Sequence, residues 1–423
     1  MSLAQKKAVD IMKKASGSEL EERSITQIPH GFLSVVKEKN QIICVTDGPC
    51  AFADRLECNI DEYRYGVRVR FAQMSNKNSQ TLRFFLKWTA PGAVTNEKSS
   101  IGFEDDFGLL LPVAADALQS EEVKPVLLSH MDSAEKLAVA MGDAAWQALA
   151  TGLASGYAAE YSYAKNEQEV MNALLCGYTG IVIDIAGKIN HDIENLAHEE
   201  IEIKFNKLPE DFKEALKLSY IEKSFTLDGV DDFSYTAEEL MQYALCYGEA
   251  IAFAQYMYNA YFKSAPWPVD FILYIGEQDL PYKAHYLLAN EFVRAGVKLA
   301  AIQLQNTSSS FKENLSVAAN FKHKIRLLLP EQINSLAKDS LPSSCHFDLR
   351  PQKGSGLLTA YKILKEKQPE FMSEIVGSES TEEELLKKLA QNKEKVKQAL
   401  LKHLDEYHAV LRNSIVEIMA LIK

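Results

Sequence analysis

The sequence predicts an α/β protein, a (β/α)8 TIM barrel carrying a small N-terminal α+β cap and a C-terminal helical tail. Three observations predict it. From Phe103 onward, apolar strand-like runs alternate with amphipathic helical stretches, the texture of a parallel sheet with crossover helices. Eight such runs fall within about 250 residues, the length and rhythm of a closed barrel. One complete unit stands out at 269–301, VDFILYIGEQDLPYKAHYLLANEFVRAGVKLAA.

In that unit, 271–275 is too short for a helix and too apolar for a half-exposed strand, so both its faces should be covered. Gly276, Glu277, Gln278 and Asp279 follow, with Asp279 expected as N-cap and Pro281 in the first helical turn. Ala284, Leu287, Leu288, Phe292 and Ala295 make one helical stripe, Gly296 ends the helix, and 297–304 begins the next strand. Acidic groups at the carboxyl end of such a strand sit where α/β folds place their chemistry.

In chain order, an amphipathic helix opens the sequence. Short β-like runs follow at 41–46, 65–72 and 81–89, separated by TDGPC and SNKNS, and predict a cap over residues 1–100. The barrel is expected over 101–378, with strands at 107–112, 125–129, 157–163, 180–186, 269–277, 299–306, 325–330 and 345–350. A doubly wound open sheet is the rival arrangement. Asn166 with Glu169, and Thr236 with Glu239, read as capping boxes. Residues 187–235 form a charged insertion on the rim where barrels place lids. The tail, 379–423, opens on a Thr381 and Glu384 capping box, and its leucines suit packing on the barrel or on a partner, so a homo-oligomer is among the expectations.

A chain of 423 residues can bury a large core plus appendages. Its net charge of -12, with no basic run, argues against nucleic-acid and acidic-membrane surfaces and for a small-molecule partner. Cys44, Cys50, Cys58, Cys176, Cys246 and Cys345 lack CxxC spacing and read as reduced, mostly buried thiols. The N-terminus lacks the apolar block of a signal peptide, and no window reaches the roughly 20 apolar residues of a membrane span. A soluble cytoplasmic protein with no nucleotide cofactor is expected.

Several segments, in the same order, resemble the tagaturonate epimerase family: IGFEDDFGLLLP (101–112), MGDAAWQALATG (141–152), GIVID (180–184), ALCYGEAIAFAQYMY (244–258), VDFILYIGE with HYLLANEFVRAGVK (269–298), SSFKENL (309–315) and GSGLLTAYKIL (354–364). The resemblance covers roughly 100–375 by this ordered recurrence. It implies a metal-dependent barrel enzyme that inverts a carbon in keto-sugar acids of hexuronate catabolism. Within the family pattern, Asp105, Asp184, Glu277 and His346 match family positions, as do Lys165 and His285. Asp106 stands in place of an Arg, Leu111 of a Thr, Ala114 of a His, and Gly187 and Lys188 of an Asp and a His. The seventh-strand His-Ser-Gly-Ser-Asp-Lys is replaced by LLPEQIN.

Epimerising a keto acid requires a base, an acid and an electrophile for the enolate to converge. The resemblance makes Glu277 and Asp184 the catalytic candidates, and makes Asp184, Glu277 and His346 the candidate ligands of a divalent metal. Those three are expected at the C-terminal ends of strands four, five and eight; alternatively they accept loop N–H bonds or pack in the core. Asp105 is a substrate contact or the cap of a turn. Lys165 pairs with a substrate carboxylate or stays solvated. Lys353, Gly354, Ser355 and Gly356, ahead of the last barrel helix, offer an anion a helix N-terminus and free N–H groups. The tyrosines of 235–261 read as packing. Two functions follow: a sugar-acid epimerase or isomerase with altered activity, or a non-catalytic relative binding a sugar acid or phosphosugar.

Overall fold

A computed structural model gives the structure of residues 3–94, 99–118, 123–129, 131, 133–276, 278–304, 310–328, 346–348, 355–377 and 381–422, with 327–328, 346–348, 355, 417–418 and 421–422 by backbone alone. It is a mixed α/β fold around a parallel sheet curled back on itself. Strands β1 (Thr26–Ile28), β2 (Gly31–Val36), β3 (Gln41–Thr46), β4 (Cys58–Arg64) and β5 (Val67–Gln73) form an antiparallel sheet in the order β1-β2-β3-β5-β4. One face packs on the first helix through Ala8, Ile11 and Met12; the other packs on Ala145, Trp146 and Leu149 of the long helix Ala134–Thr151. Residues 81–89, expected as a strand, are instead the end of the helix Asn76–Phe85 and a 3-10 turn. Ser75 caps that helix by accepting from Asn78 N–H, a start signal that outweighs the aromatic, strand-like composition downstream.

The curled sheet is made of β6 (Ser99–Glu104), β7 (Val123–Ser129), β8 (Ala158–Ala164), β9 (Gly180–Asp184), β12 (Asp270–Tyr274), β13 (Leu299–Leu304), β14 (Lys324–Leu328) and β15 (His346–Asp348); β10 (Phe225–Leu227) and β11 (Val230–Phe233) form a hairpin in the insertion. All its pairings are parallel, in the order β12-β13-β14-β15-β6-β7-β8-β9, and β9 pairs back on β12. The first strand is therefore 99–104, not 107–112. The apolar run FGLLLP is a turn and the opening of the helix Leu111–Leu118, where Pro112 suits the first turn. A short apolar run cannot separate strand from helix start by periodicity.

Alternation along the strands divides their side chains. Ile101, Phe103, Leu127, Ile181, Phe271 and Ile302 pack outward against the helices in the main core, each buried side chain contributing about 1.5–3 kcal/mol. Inside, Val126, Leu128 and Ala158 cluster with Val94, and Val182, Ile272 and Ala301 form a second small group. Gly102 leaves room in this interior: a Cβ there would meet Leu128 Cδ1 at 2.9 Å and force that side chain to shift. The insertion holds helices His198–Asn206 and Glu210–Tyr220 besides its hairpin, and the tail is helical over Glu382–Gln391, Lys393–Leu400 and Leu404–Ile422. Among the described residues, no helix is long and apolar enough to cross a membrane.

Candidate active site

Asp184 closes β9, and its carboxylate is divided between two tasks. Oδ1 accepts from Ala186 N–H at 3.0 Å, which fixes the turn leaving the strand. Oδ2 lies 3.9 Å from Lys165 Nζ, on the loop after the neighbouring β8. The lysine is 71% exposed and the aspartate 14%, so the pair gains little stability in high dielectric. What it does is keep a carboxylate and an ammonium together at the C-terminal end of adjacent strands. Backbone bonds position Lys165: its own N–H donates to Glu169 Oε2 at 2.7 Å, and Asn166 accepts from Glu169 N–H, the capping arrangement the sequence predicts.

Below them the interior is polar. A register shift in β8 between Tyr161 and Ala164 turns Tyr163 inward, with its backbone left-handed at φ 62°. A bulky residue there costs about 1–3 kcal/mol of strain, which the surroundings must hold in place. They do so through Gln303 Nε2, which donates to the Tyr163 hydroxyl at 2.8 Å, and through the Tyr274 ring, edge-on at 4.9 Å. Gln303 is fully buried, and its Oε1 has no partner among the described residues. Deeper still, Arg326 of β14 forms an ion pair with Glu160 of β8, both nearly sealed from solvent, and Ser162 Oγ donates to Glu160 Oε1 at 3.5 Å.

The pairing register ties these residues to His346. Asp184 pairs with Tyr274, Tyr274 with Gln303, Gln303 with Arg326, and Arg326 with His346, one continuous row across five strands. His346 therefore shares that row by backbone position, but it opens β15 and pairs with Ser100 near the start of β6, so it does not close its strand as the sequence reading expects; its side chain lies outside the described residues, as do Glu277, Lys353 and Gly354 and the side chain of Ser355.

Asp105 is taken up by local structure. Its two oxygens accept from Leu109 N–H at 2.8 Å and Leu110 N–H at 2.9 Å, tightening the turn before the helix Leu111–Leu118. Asp106, standing where the family has Arg, reaches the helix Ser355–Lys367 and accepts from Leu357 N–H at 3.2 Å. Gly356 lies close beside it: a Cβ would fall 2.6 Å from Asp106 Oδ2, so a larger residue would push that carboxylate aside. The Tyr407 hydroxyl is buried without a hydrogen-bond partner among the described residues. Burial, with Asp105, Asp106 and Glu104 nearby, holds its pKa well above the usual phenol range. One N–H of the helix start expected to take a ligand anion is thus given to the chain's own carboxylate.

The other expectations resolve as packing. Helix Tyr282–Arg294 starts with no side-chain cap, so Asp279 does not play that role; Pro281 itself occupies the N-cap position, two residues beyond it. His285 is buried in a chain of imidazoles: its Nδ1 lies 2.9 Å from Asn314 Oδ1 and its Nε2 2.8 Å from His323 Nε2. Asn314 Nδ2 donates to Leu280 O, so Oδ1 accepts and His285 carries its proton on Nδ1. Burial pushes His285 down to about 4 and His323 well below its ordinary value, so both are neutral. Tyr235 packs in a ring cluster with Tyr220, Phe225 and Phe233, and Tyr247 is buried, whereas Tyr256 is half exposed and donates to Glu167 Oε1 at 2.8 Å. Missing from the sequence reading are Glu160, Arg326 and Gln303. The signal present was a polar residue at an inward position of each strand.

Residues 21–313 match the UxaE tagaturonate epimerase family. The tagaturonate/fructuronate epimerase of Thermotoga maritima is 23% identical over 247 residues, 57% of this chain and 50% of that protein. The chain thus spans about half the length of the curated relative it matches. Two crystal structures of the fructuronate-tagaturonate epimerase UxaE from Cohnella laeviribosi superpose at 20% identity over 99% of both chains. The TM-score is 0.79 for one glycerol complex and 0.78 for the native form, a likeness of fold. By the extent of the family match, this chain belongs to the tagaturonate epimerase family.

Proposed function

We propose that the protein is a sugar-acid epimerase or isomerase resembling tagaturonate 3-epimerase, with altered activity, working at the C-terminal mouth of a (β/α)8 TIM barrel. The observation that carries this reading is the Asp184–Lys165 pair at that mouth, above a polar interior of Glu160, Arg326 and Gln303. Inverting a carbon next to a carbonyl means removing its proton on one face and returning one on the other. Asp184 and Glu277 are the candidate proton carriers. Lys165 meets the carboxylate of a sugar acid, and Lys353, Gly354, Ser355 and Gly356 offer a helix N-terminus to an anionic group of the substrate.

A divalent metal would be held by the two carboxylates and one imidazole of Asp184, Glu277 and His346, with the exposed Lys165 Nζ, 3.9 Å from Asp184 Oδ2, giving way to it. Bound there, the ion would polarise the substrate carbonyl and stabilise the enolate. The chain's own residues do the rest: Ala186 N–H orients Asp184, and the Glu160–Arg326 pair sets a fixed charge distribution beneath the mouth without solvent reorganisation. A cytoplasmic setting accords with the free thiols of Cys44, Cys50, Cys58, Cys176 and Cys246.

The test is proton exchange. Purified protein incubated with tagaturonate or fructuronate in D2O should incorporate deuterium at the inverted carbon, read by NMR. Asp184→Asn should slow this by a factor on the order of 100 or more with thermal stability unchanged. Absence of both epimer and deuterium, with divalent metal supplied, would remove the proposal.

A further inference from the structure

The insertion after β9 brings together a second set of metal-ligating side chains, apart from Asp184. Asn190 N–H donates to the Cys246 carbonyl at 2.9 Å, which lays the short turn His191–Asn195 against the helix Ala237–Met257. His191 and Glu194 are three residues apart on that turn and share a face, with Nδ1 and Oε1 3.1 Å apart. Cys246 comes from the helix beneath. One ligand atom from each of the three lies within 4.8 Å of the other two.

We propose that His191, Glu194 and Cys246 form a binding site for a thiophilic divalent cation of the zinc class, which pins the insertion to the helix Ala237–Met257. Tetrahedral zinc takes nitrogen and oxygen at about 2.0–2.2 Å and sulfur at about 2.3 Å, so its ligands stand roughly 3.3–3.8 Å apart. The three atoms reach that spacing with side-chain shifts of an ångström or so on this geometry. Charge balances as well: a Cys246 thiolate and a Glu194 carboxylate offset the ion's two positive charges, and His191 binds as the neutral ring. The ion replaces the hydrogen between His191 Nδ1 and Glu194, that ring keeping its proton on Nε2, and the thiol proton is released to solvent. His191 and Glu194 are partly exposed while Cys246 is buried, which leaves a fourth position for water on the solvent side.

This site is independent of the proposed reaction, and sulfur tells the two apart, since the candidate catalytic ligands include no cysteine. The full chain, reduced and stripped with a chelator, is titrated with Co2+ alone. The expected result is a thiolate-to-cobalt charge-transfer absorption that saturates at one ion per chain, is displaced by Zn2+, and disappears in Cys246→Ala. His191→Ala and Glu194→Gln, at partly exposed positions, should each weaken Co2+ binding at least tenfold as read by the charge-transfer band, and Zn2+ should raise the melting temperature of the parent more than that of His191→Ala. Absence of the charge-transfer band, or its persistence in Cys246→Ala, overturns the site. If Cys246→Ala does not fold, unchanged Co2+ affinity in both His191→Ala and Glu194→Gln overturns it equally.

Discussion

The two ends of the curled sheet handle their aspartates in opposite ways. Asp270 opens β12 at the N-terminal end; Asp184 closes the adjacent β9 at the other. Asp270 is almost wholly buried and accepts from Val94 N–H at 2.7 Å. Around it Lys324 Nζ donates to Val94 O, Thr179 Oγ1 to Gly92 O, and Gly92 N–H to Tyr157 O, so Gly92 and Val94 are stitched across that end. Asp184 gives one oxygen to a backbone N–H and turns the other toward a solvated lysine. Asp270 accepts from main chain and serves the fold, as Asp105 does in the turn after β6. Asp184 keeps one oxygen toward a solvated side chain and open to a ligand, at the end where parallel α/β sheets place their chemistry.

The Glu160–Arg326 pair lies between those ends and is the sharpest place to strain the contrast. Arg326→Ala leaves a carboxylate buried without its cation and should cost about 3–5 kcal/mol in urea unfolding. The double replacement Glu160→Leu with Arg326→Met removes both charges and should recover most of that loss. A cost under about 1 kcal/mol for the single variant would mean that water reaches the pair, and the interior would then count as part of the mouth.

A smaller effect tests the ends directly. Asp270→Ala should destabilise by about 1–3 kcal/mol, the cost of an unpaired buried N–H, and should leave deuterium exchange into the substrate at the parental rate. Asp184→Ala should do the reverse, with stability within about 0.5 kcal/mol of the parent. Equal stability losses from both, by thermal or urea unfolding, would erase the distinction.

Much of this architecture was legible in the sequence, and what was not has a physical reason. Seven of the eight expected runs overlap strands of the curled sheet because buried parallel strands are continuous apolar stretches. The eighth was misplaced because β6, SSIGFE, faces inward with Ser100, Gly102 and Glu104 and so carries fewer apolar residues than the helix start that follows it. Asp184 and Lys165 could be placed near each other from strand order alone, both lying just past the ends of neighbouring strands. Arg326 and Glu160 could not: their contact spans the interior between β14 and β8, and nothing local in KHKIRLLL or AAEYSYA names the other. Asp106 was visible as a departure from the family, but its use in capping a helix some 250 residues later depends on closure of the sheet.

That cap gives the mildest prediction. In Asp106→Ala, Leu357 N–H loses its acceptor and the helix Ser355–Lys367 should weaken, at a cost of about 1 kcal/mol. The same change exposes a helix N-terminus beside the Tyr407 hydroxyl and removes a negative charge from it. Inorganic phosphate should then raise the melting temperature of Asp106→Ala while leaving the parent unmoved, because in the parent the carboxylate competes for the same N–H groups and repels the anion. If phosphate stabilises the parent just as much, the anion has its own place on the 353–356 loop, and this corner joins the mouth as a substrate subsite instead of standing with Asp270 among the charges that hold the fold.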